Sequence, residues 1–491
     1  VYDILHTAYA EQFYPKGYTR GSTSRERAKA VKEKADRAEL CIRIGECEQE
    51  LQELLANPAA LPDLTGCKIN HKMFGAGTVR PAEGQFMVID FNGTLKKFSY
   101  TASMNSGYLS AEDPNVEARL QAYQDYNKDK DRLEQELKNL TPPEFCAYAP
   151  IKGYDEFLKD CIDQCFGKSR PEGYSDACAK PGGTGVLHHV VHNYSEPGDE
   201  VLITDWHWGA YDSLIDDNNR KVRTFSFLTS DGHFNAASFK ENVEDILKKQ
   251  DNIVIILNGI ANNPTGYCMS VAEWQSAVDV LKEATKDETK NAILIADVAY
   301  LDYSGEKEEC REFFKVFGGL PKNILVVCAD TLSKGFTMYG QRMGAMIGIS
   351  SDKDVIKEYV DINQYSSRAT WSNCNSAAQH AMIRICQDPE KIKQLDAERA
   401  KYYKLIQERA AIFVEEAQKE GVKFVPYISG FFITIPVTNS QAVCDILEKD
   451  HVFMVPLKKG IRLAVCSVSK KKMHGLAHKL ALAIKEAGAQ Q

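Results

Sequence analysis

Three short apolar runs in the second half of the chain each stop at a residue able to do chemistry. "NIVIILNGIA" leads into "NNPTG", where Asn263 precedes a proline turn that fixes the direction of its amide. "NAILIAD" ends on Asp297, with Tyr300 three residues further on, and "NILVVCADTLSK" leads to Thr331 and Lys334. A carboxylate at the end of a buried strand is costly unless a cation pairs with it, so Asp297 calls for a positive partner. A lysine in the same crevice loses solvation, its pKa falls, and it becomes a nucleophilic amine. Taken alone, Lys334 would be an ordinary solvated lysine; its company is what singles it out.

One cofactor needs both groups. Pyridoxal phosphate carries an aldehyde that takes a lysine as a Schiff base and a ring nitrogen that takes an acidic partner. Its phosphate needs a cradle, and "KPGGTGVLHHVV" supplies a glycine-rich turn opening a helix, with Gly183 amide and Thr184 hydroxyl available to an anion. Arg342, eight residues after Lys334, is placed to close on the same phosphate with a bidentate fork. Each feature has a plain alternative: a tight turn for the glycines, a surface ion pair for the arginine.

The segments "GGTG", "NNPTG", "ADVAY" and "TLSKGFTMYGQRMG" occur in this order, about 34 residues separating Asn263 from Asp297 and about 37 separating Asp297 from Lys334. Together they resemble the fold-type I, class I/II aminotransferases of the aspartate aminotransferase superfamily, over roughly residues 141–491. The resemblance implies that Lys334 holds the cofactor and shuttles the substrate proton, that Asp297 pairs with the ring nitrogen, and that Asn263 and Tyr300 hydrogen-bond the phenolic oxygen. It implies that Gly183, Thr184, Thr331 and Arg342 hold the phosphate. "DWHWGAY" matches the family's W-x-x-[HY] segment and nominates Trp208, rather than Trp206, to stack on the ring. "FCAYAPIKG" nominates Tyr148 to reach the phosphate of a neighbouring subunit, which implies a homodimer with shared sites. "KKGIRLAVCSVS" puts Arg462 at the substrate α-carboxylate, "SSRATWSNCNSAA" puts Arg368 at a distal carboxylate across the dimer, and Asn263 is implied as a further substrate contact. The implied reaction moves an amino group between an amino acid (aspartate, glutamate or an aromatic one) and a 2-oxo acid such as 2-oxoglutarate. A lyase or decarboxylase on the same cofactor is the sister reading, since it shares every cofactor contact; a regulatory or scaffold protein with an aminotransferase-like part is the third.

These residues need a frame to position them. The apolar runs "EVLITD", "NIVIILNG", "NAILIADVAY" and "NILVVCADT", with the helix-periodic "VAEWQSAVDVLKEATK" between two of them, predict an α/β fold: a mostly parallel sheet sandwiched by helices over residues 141–343. Ligands in such sheets sit beyond the carboxyl ends of the strands. Residues 344–491 predict a smaller α+β domain. Upstream, residues 1–64 read as a helical extension, one long helix or a hairpin broken near Gly45, and 113–140 as a helical linker. Between them, 65–112 carries short β-forming runs punctuated by glycines and the "NG" turn at Asn92-Gly93. Its H-K-x-F-G-x-G-x-V pattern resembles SH3-like small β-barrels that dock nucleic acid or protein, and a plain spacer is the alternative. The arm that precedes "YAPIKG" in the aminotransferases is not recognisable here; the helix and the small β block stand in its place.

Composition sets the outer bounds. The chain has 491 residues, 44% hydrophobic and 26% charged, which fits a multidomain globular protein. A net charge of -8 argues against a general nucleic-acid or membrane-surface binder, so anionic ligands must be held by particular residues. Fourteen scattered cysteines without zinc spacing predict reduced thiols and no metal. No apolar run nears the roughly 20 residues that span a bilayer, and no signal-peptide order opens the chain, so the expectation is a cytoplasmic protein.

Overall fold

The computed structural model describes residues 43, 45–47, 49–56, 63–83, 86–99, 108–139 and 147–491. The chain divides into two compact units, Val1–Cys146 and Ala147–Gln491. In the first unit the described residues among 43–56 are helical, Gly45 included; most of the predicted extension 1–64 lies outside the described residues. Five antiparallel strands follow: β1 (Lys68–His71), β2 (Gly75–Glu83), β3 (Phe86–Phe91), β4 (Thr94–Ser99) and β5 (Leu109–Ala111), in the order β4-β3-β2-β1-β5. Asn92 and Gly93 both take positive φ, which lets β3 turn into β4 in two residues. The β2–β3 register shifts between Arg80 and Glu83, around Pro81, which has no amide hydrogen to give a ladder. Ile69, Val79, Met87, Ile89 and Leu109 form the core, and Leu120 of the helix Pro114–Asn139 joins them.

In the second unit a seven-stranded sheet holds β6 (Tyr174–Lys180), β7 (Glu200–Thr204), β8 (Lys221–Phe225), β9 (Asn252–Leu257), β10 (Asn291–Asp297), β11 (Ile324–Thr331) and β12 (Gly344–Ser350). The order is β6-β12-β11-β10-β9-β7-β8, and β12 alone runs antiparallel to its neighbours. The central strands are buried on both faces, which is why they read as unbroken apolar runs rather than alternating ones. One face packs against helices carrying Phe157, Trp274 and Met382; the other packs against the helices Gly182–Tyr194 and Lys353–Thr370 through Val186, Val190 and Tyr359. The sheet continues past residue 343, where the sequence places the end of the large domain, because "GAMIGIS" returns as β12. Two of its glycines make that return possible: a Cβ on Gly344 would lie 2.4 Å from the Asp330 carbonyl, and one on Gly348 2.7 Å from the Tyr359 ring.

The remaining chain is α+β. The long helix Pro389–Glu420 starts on an Asp388 cap with proline in its first turn and stops at Gly421 in the left-handed region. With the helices Ser440–Lys449 and Leu476–Glu486 it covers an antiparallel sheet of β13 (Phe432–Pro436), β15 (Gly460–Ala464) and β14 (Val455–Leu457), in that spatial order. Among the described residues no helix is long and apolar enough to cross a membrane, and the described cysteines are free thiols.

Candidate active site

The carboxyl ends of β9, β10 and β11 open into a cavity of about 220 Å³. Nine residues picked out from the sequence line it: Gly183, Thr184, Trp208, Asn263, Asp297, Tyr300, Thr331, Lys334 and Arg342. Strand ends converge here for a simple reason. The parallel strands β9, β10 and β11 are in register, so Leu257, Asp297 and the residues after Ala329 finish at one edge of the sheet.

Asp297, the last residue of β10, is buried. Its Oδ2 accepts a 2.5 Å hydrogen bond from the Tyr211 hydroxyl, and its Oδ1 accepts one from the Ala299 amide. Burial pushes its pKa up, against the opposing effects of those two bonds and of the Lys334 charge. A carboxylate in this state gains from any cation brought beside it. Asn258 and Asn262 shape the next loop. Asn258 Nδ2 donates to the Asp297 carbonyl, and its Oδ1 takes the Asn263 amide at 2.6 Å. Asn262 Oδ1 accepts from both the amide and the hydroxyl of Thr265, closing the "NNPTG" turn. The turn leaves the Asn263 side chain free to face the cavity. Asn263 Nδ2 reaches the Tyr300 hydroxyl at 3.5 Å, and its Oδ1 accepts from Arg462 at 2.9 Å.

Lys334 lies in a single helical turn, Leu332–Gly335, capped by the Thr331 hydroxyl, which accepts the Ser333 amide. Among the described residues its Nζ makes no hydrogen bond or ion pair; it sits 4.5 Å from the Tyr339 ring centroid and 5.5 Å from that of Tyr300. Burial lowers its pKa, the Cys466 thiol partly offsets this, and the Arg342 guanidinium adds to it. Arg342, at φ 49°, donates to the Tyr339 carbonyl, and its guanidinium lies against Gly182, where a Cβ would come within 3.1 Å of Nη2. The glycine turn, Thr331, Ser333 and Arg342 therefore share one end of the cavity. Trp208 lines it and meets the Tyr211 ring edge-on at 5.8 Å. Trp206 does not line it and is covered by Lys459 at 4.7 Å.

Arg462, on β15, stacks on Phe432 at 4.4 Å, and its Nε is buried without a hydrogen-bond partner. Arg462 does not itself line the cavity and meets it through Asn263, and two further candidates are not brought to it. Tyr148 is 70% exposed, and Arg368 is exposed on the last turn of the helix Lys353–Thr370, hydrogen-bonded to Ser372. Three polar lining residues were not among the candidates: Tyr211, Asn258 and Ser333. Two carried a visible signal, since Tyr211 closes the Trp208-x-x-Tyr211 spacing and Asn258 ends the β9 run. Among the described residues no cluster of His, Cys, Asp and Glu is grouped to hold a metal.

The donor set fits pyridoxal phosphate. A buried carboxyl in want of a cation, an amine with no hydrogen bond or ion pair among the described residues, two hydroxyl or amide donors, an aromatic wall and an arginine packed on a glycine turn all face one space. The profile of the family aminotransferase class I and II matches residues 116–480. A crystal structure of an aminotransferase from Anaerococcus prevotii is 37% identical, with a TM-score of 0.69 over 71% of this chain and 85% of that one. The aspartate aminotransferase of Salmonella typhi is 23% identical over 305 residues, 60% of this chain and 74% of that protein. An aromatic-amino-acid aminotransferase from Burkholderia pseudomallei, solved covalently bound to pyridoxal phosphate, shares the fold at 20% identity, with a TM-score of 0.58 over 69% of this chain and 83% of its own. The chain belongs to the class I and II aminotransferases, enzymes that use pyridoxal phosphate to move an amino group between amino acids and 2-oxo acids.

Proposed function

We propose that Lys334 is the lysine that holds the cofactor, that the strand-end residues around it serve the ring and phosphate, and that acidic amino acids and 2-oxoglutarate are the substrates. The observation that carries this reading is the Lys334 amine, which makes no hydrogen bond or ion pair among the described residues, in one cavity with the buried Asp297 carboxyl. When bound, the cofactor supplies an aldehyde to capture the substrate amine and a ring to accept the electron pair left when Cα loses its proton. The protein's own groups do the rest. Asp297 holds a proton at the ring nitrogen, with Tyr211 fixing the carboxylate orientation. Tyr300 and Asn263 direct hydrogen bonds to the phenolic oxygen, and Trp208 forms the wall against the ring face. Gly183, Thr184, Thr331 and Arg342 bind the phosphate. Lys334 Nζ would carry the substrate proton between Cα and the cofactor's former aldehyde carbon, and burial, by lowering its pKa, favours the neutral amine that this needs. Arg462, braced by Asn263 and Phe432 with Nε unsatisfied, orients the substrate α-carboxylate by a planar two-point contact.

Tyr148 and Arg368 are exposed and away from their own chain's cavity, which supports a homodimer in which each serves the neighbouring site. Arg368 would then read a distal carboxylate, favouring aspartate and glutamate; aromatic donors are the competing class. A panel of amino donors with 2-oxoglutarate, run on wild type and Arg368→Ala, tests this. Selective loss of aspartate and glutamate turnover is expected, and equal turnover of these donors by both proteins contradicts it. The five antiparallel strands, the bulge at Pro81 and the tight Asn92-Gly93 hairpin support a small SH3-like barrel over residues 65–112, followed by the helix Pro114–Asn139. Beyond residue 141 the catalytic region comprises a large part, with β12 included, and a small C-terminal part. Free thiols support a reducing, cytoplasmic setting.

A further inference from the structure

We propose that Lys180 is a second, buried cation serving the cofactor phosphate: an ammonium fixed just before the glycine turn by neutral acceptors alone, whose uncompensated charge favours an anion at that turn. The inference rests on the cofactor reading given above. Lys180 is the last residue of β6, and three peptide units carry the chain from it to Gly183, a span of at most about 11 Å. Its side chain is fully buried. Nζ contacts three acceptors: His189 Nδ1 at 2.9 Å, the Asn363 carbonyl at 3.1 Å and Ser367 Oγ at 2.9 Å.

The hydrogen-bond chain beyond His189 sets the proton count. Thr370 Oγ1 donates to the Ser366 carbonyl, so it accepts from His189 Nε2, and the imidazole is neutral with Nδ1 as acceptor. An ammonium donates to all three contacts, whereas a neutral amine satisfies them only if the Ser367 hydroxyl turns to donate to its lone pair. No carboxylate compensates this charge: among the described residues Lys180 makes no ion pair. The titratable groups facing it are Cys178 on its own strand, His189 on the helix Gly182–Tyr194, and Cys374 beyond the helix Lys353–Thr370. Burial pushes the Lys180 amine down to about 8, and burial together with Lys180 pushes His189 down to about 2. A buried ion without a partner is costly, and such a charge is retained where an anion repays it. The phosphate cradle is the anion site next along the chain. The same ammonium ties the helix that starts at the cradle to the helix carrying Arg368, and the His189 ring, stacked on Trp371 at 4.0 Å, extends that tie.

Two probes that cannot react with Lys334 separate charge from fit: 4-deoxypyridoxine 5′-phosphate and its phosphate-free parent 4-deoxypyridoxine, titrated by fluorescence into the full chain stripped of cofactor. Lys180→Met is expected to weaken the phosphorylated probe about tenfold relative to the parent, and Lys180→Arg to recover most of that loss. An unchanged ratio of the two affinities, or equal loss in the Met and Arg variants, overturns the proposal. If the Met variant does not fold, the ratio is measured in Lys334→Ala between pH 7 and pH 10. It should fall severalfold as Lys180 loses its proton, and a flat ratio overturns the proposal. Failure of both probes to bind the wild-type chain would contradict the cofactor reading instead.

Discussion

Lys334 and Lys180 stand in the same sheet region, and burial lowers the pKa of both, yet their surroundings give them opposite work. Lys180 Nζ meets His189 Nδ1, the Asn363 carbonyl and Ser367 Oγ, a set that an ammonium satisfies with its three N–H bonds. Lys334 meets none among the described residues; the faces of Tyr339 and Tyr300 lie near its Nζ. Desolvation alone thus does not make a nucleophile. The amine must also lack acceptors that would keep its third proton, and it must open onto a cavity.

The largest effect expected from this contrast is at Lys334. Lys334→Ala should lose the visible absorbance of the cofactor-bound protein and lower kcat by about 10³-fold or more. Asp297→Asn should follow, with turnover down by about 100-fold, because an amide cannot support a proton at the ring nitrogen; transamination assays of the holoenzyme at saturating cofactor check this. Arg462→Lys should raise KM for amino acids about tenfold with a smaller change in kcat, since one ammonium replaces a two-point contact.

The smallest effect concerns stability. The Lys180 pKa is about 8 in the fold against 10.5 for a free lysine. Between those values the unfolded chain binds the extra proton, so stability rises with pH over that window, by about 3 kcal/mol at most. Urea unfolding of wild type and Lys180→Met should show the difference in favour of wild type growing from pH 8 to pH 10.5. A constant difference would mean that the fold binds the Lys180 proton as strongly as the unfolded chain does, which contradicts the lowered pKa.

The two lysines also mark what the sequence can reveal. Lys334, Asp297 and Asn263 are legible because buried parallel strands read as apolar runs, and the polar residue that ends each run stands out against them. The helix turn after β6 is legible from its glycines. Lys180 directly precedes those glycines, but nothing in "AKPGGTG" says that its side chain points between two helices, because Ser367 and Asn363 lie more than 180 residues away. Burial of a long polar side chain is a tertiary property. Tyr211 and Asn258 fall between these cases: their spacing is visible, and their hydrogen bonds to Asp297 are not. The strand β12 also goes beyond the sequence boundary at 343, because its membership depends on pairing with β6 and β11 rather than on its own pattern.

The central claim, that the amine without acceptors is the one that holds the cofactor, has a direct measurement. Borohydride reduction of the holoenzyme fixes the cofactor covalently to its lysine, and peptide mass mapping locates it. A single pyridoxyl-modified residue, Lys334, is expected, with no modification in the Lys334→Ala protein. Modification at Lys180, or at any other lysine in the wild-type chain with Lys334 untouched, would contradict it.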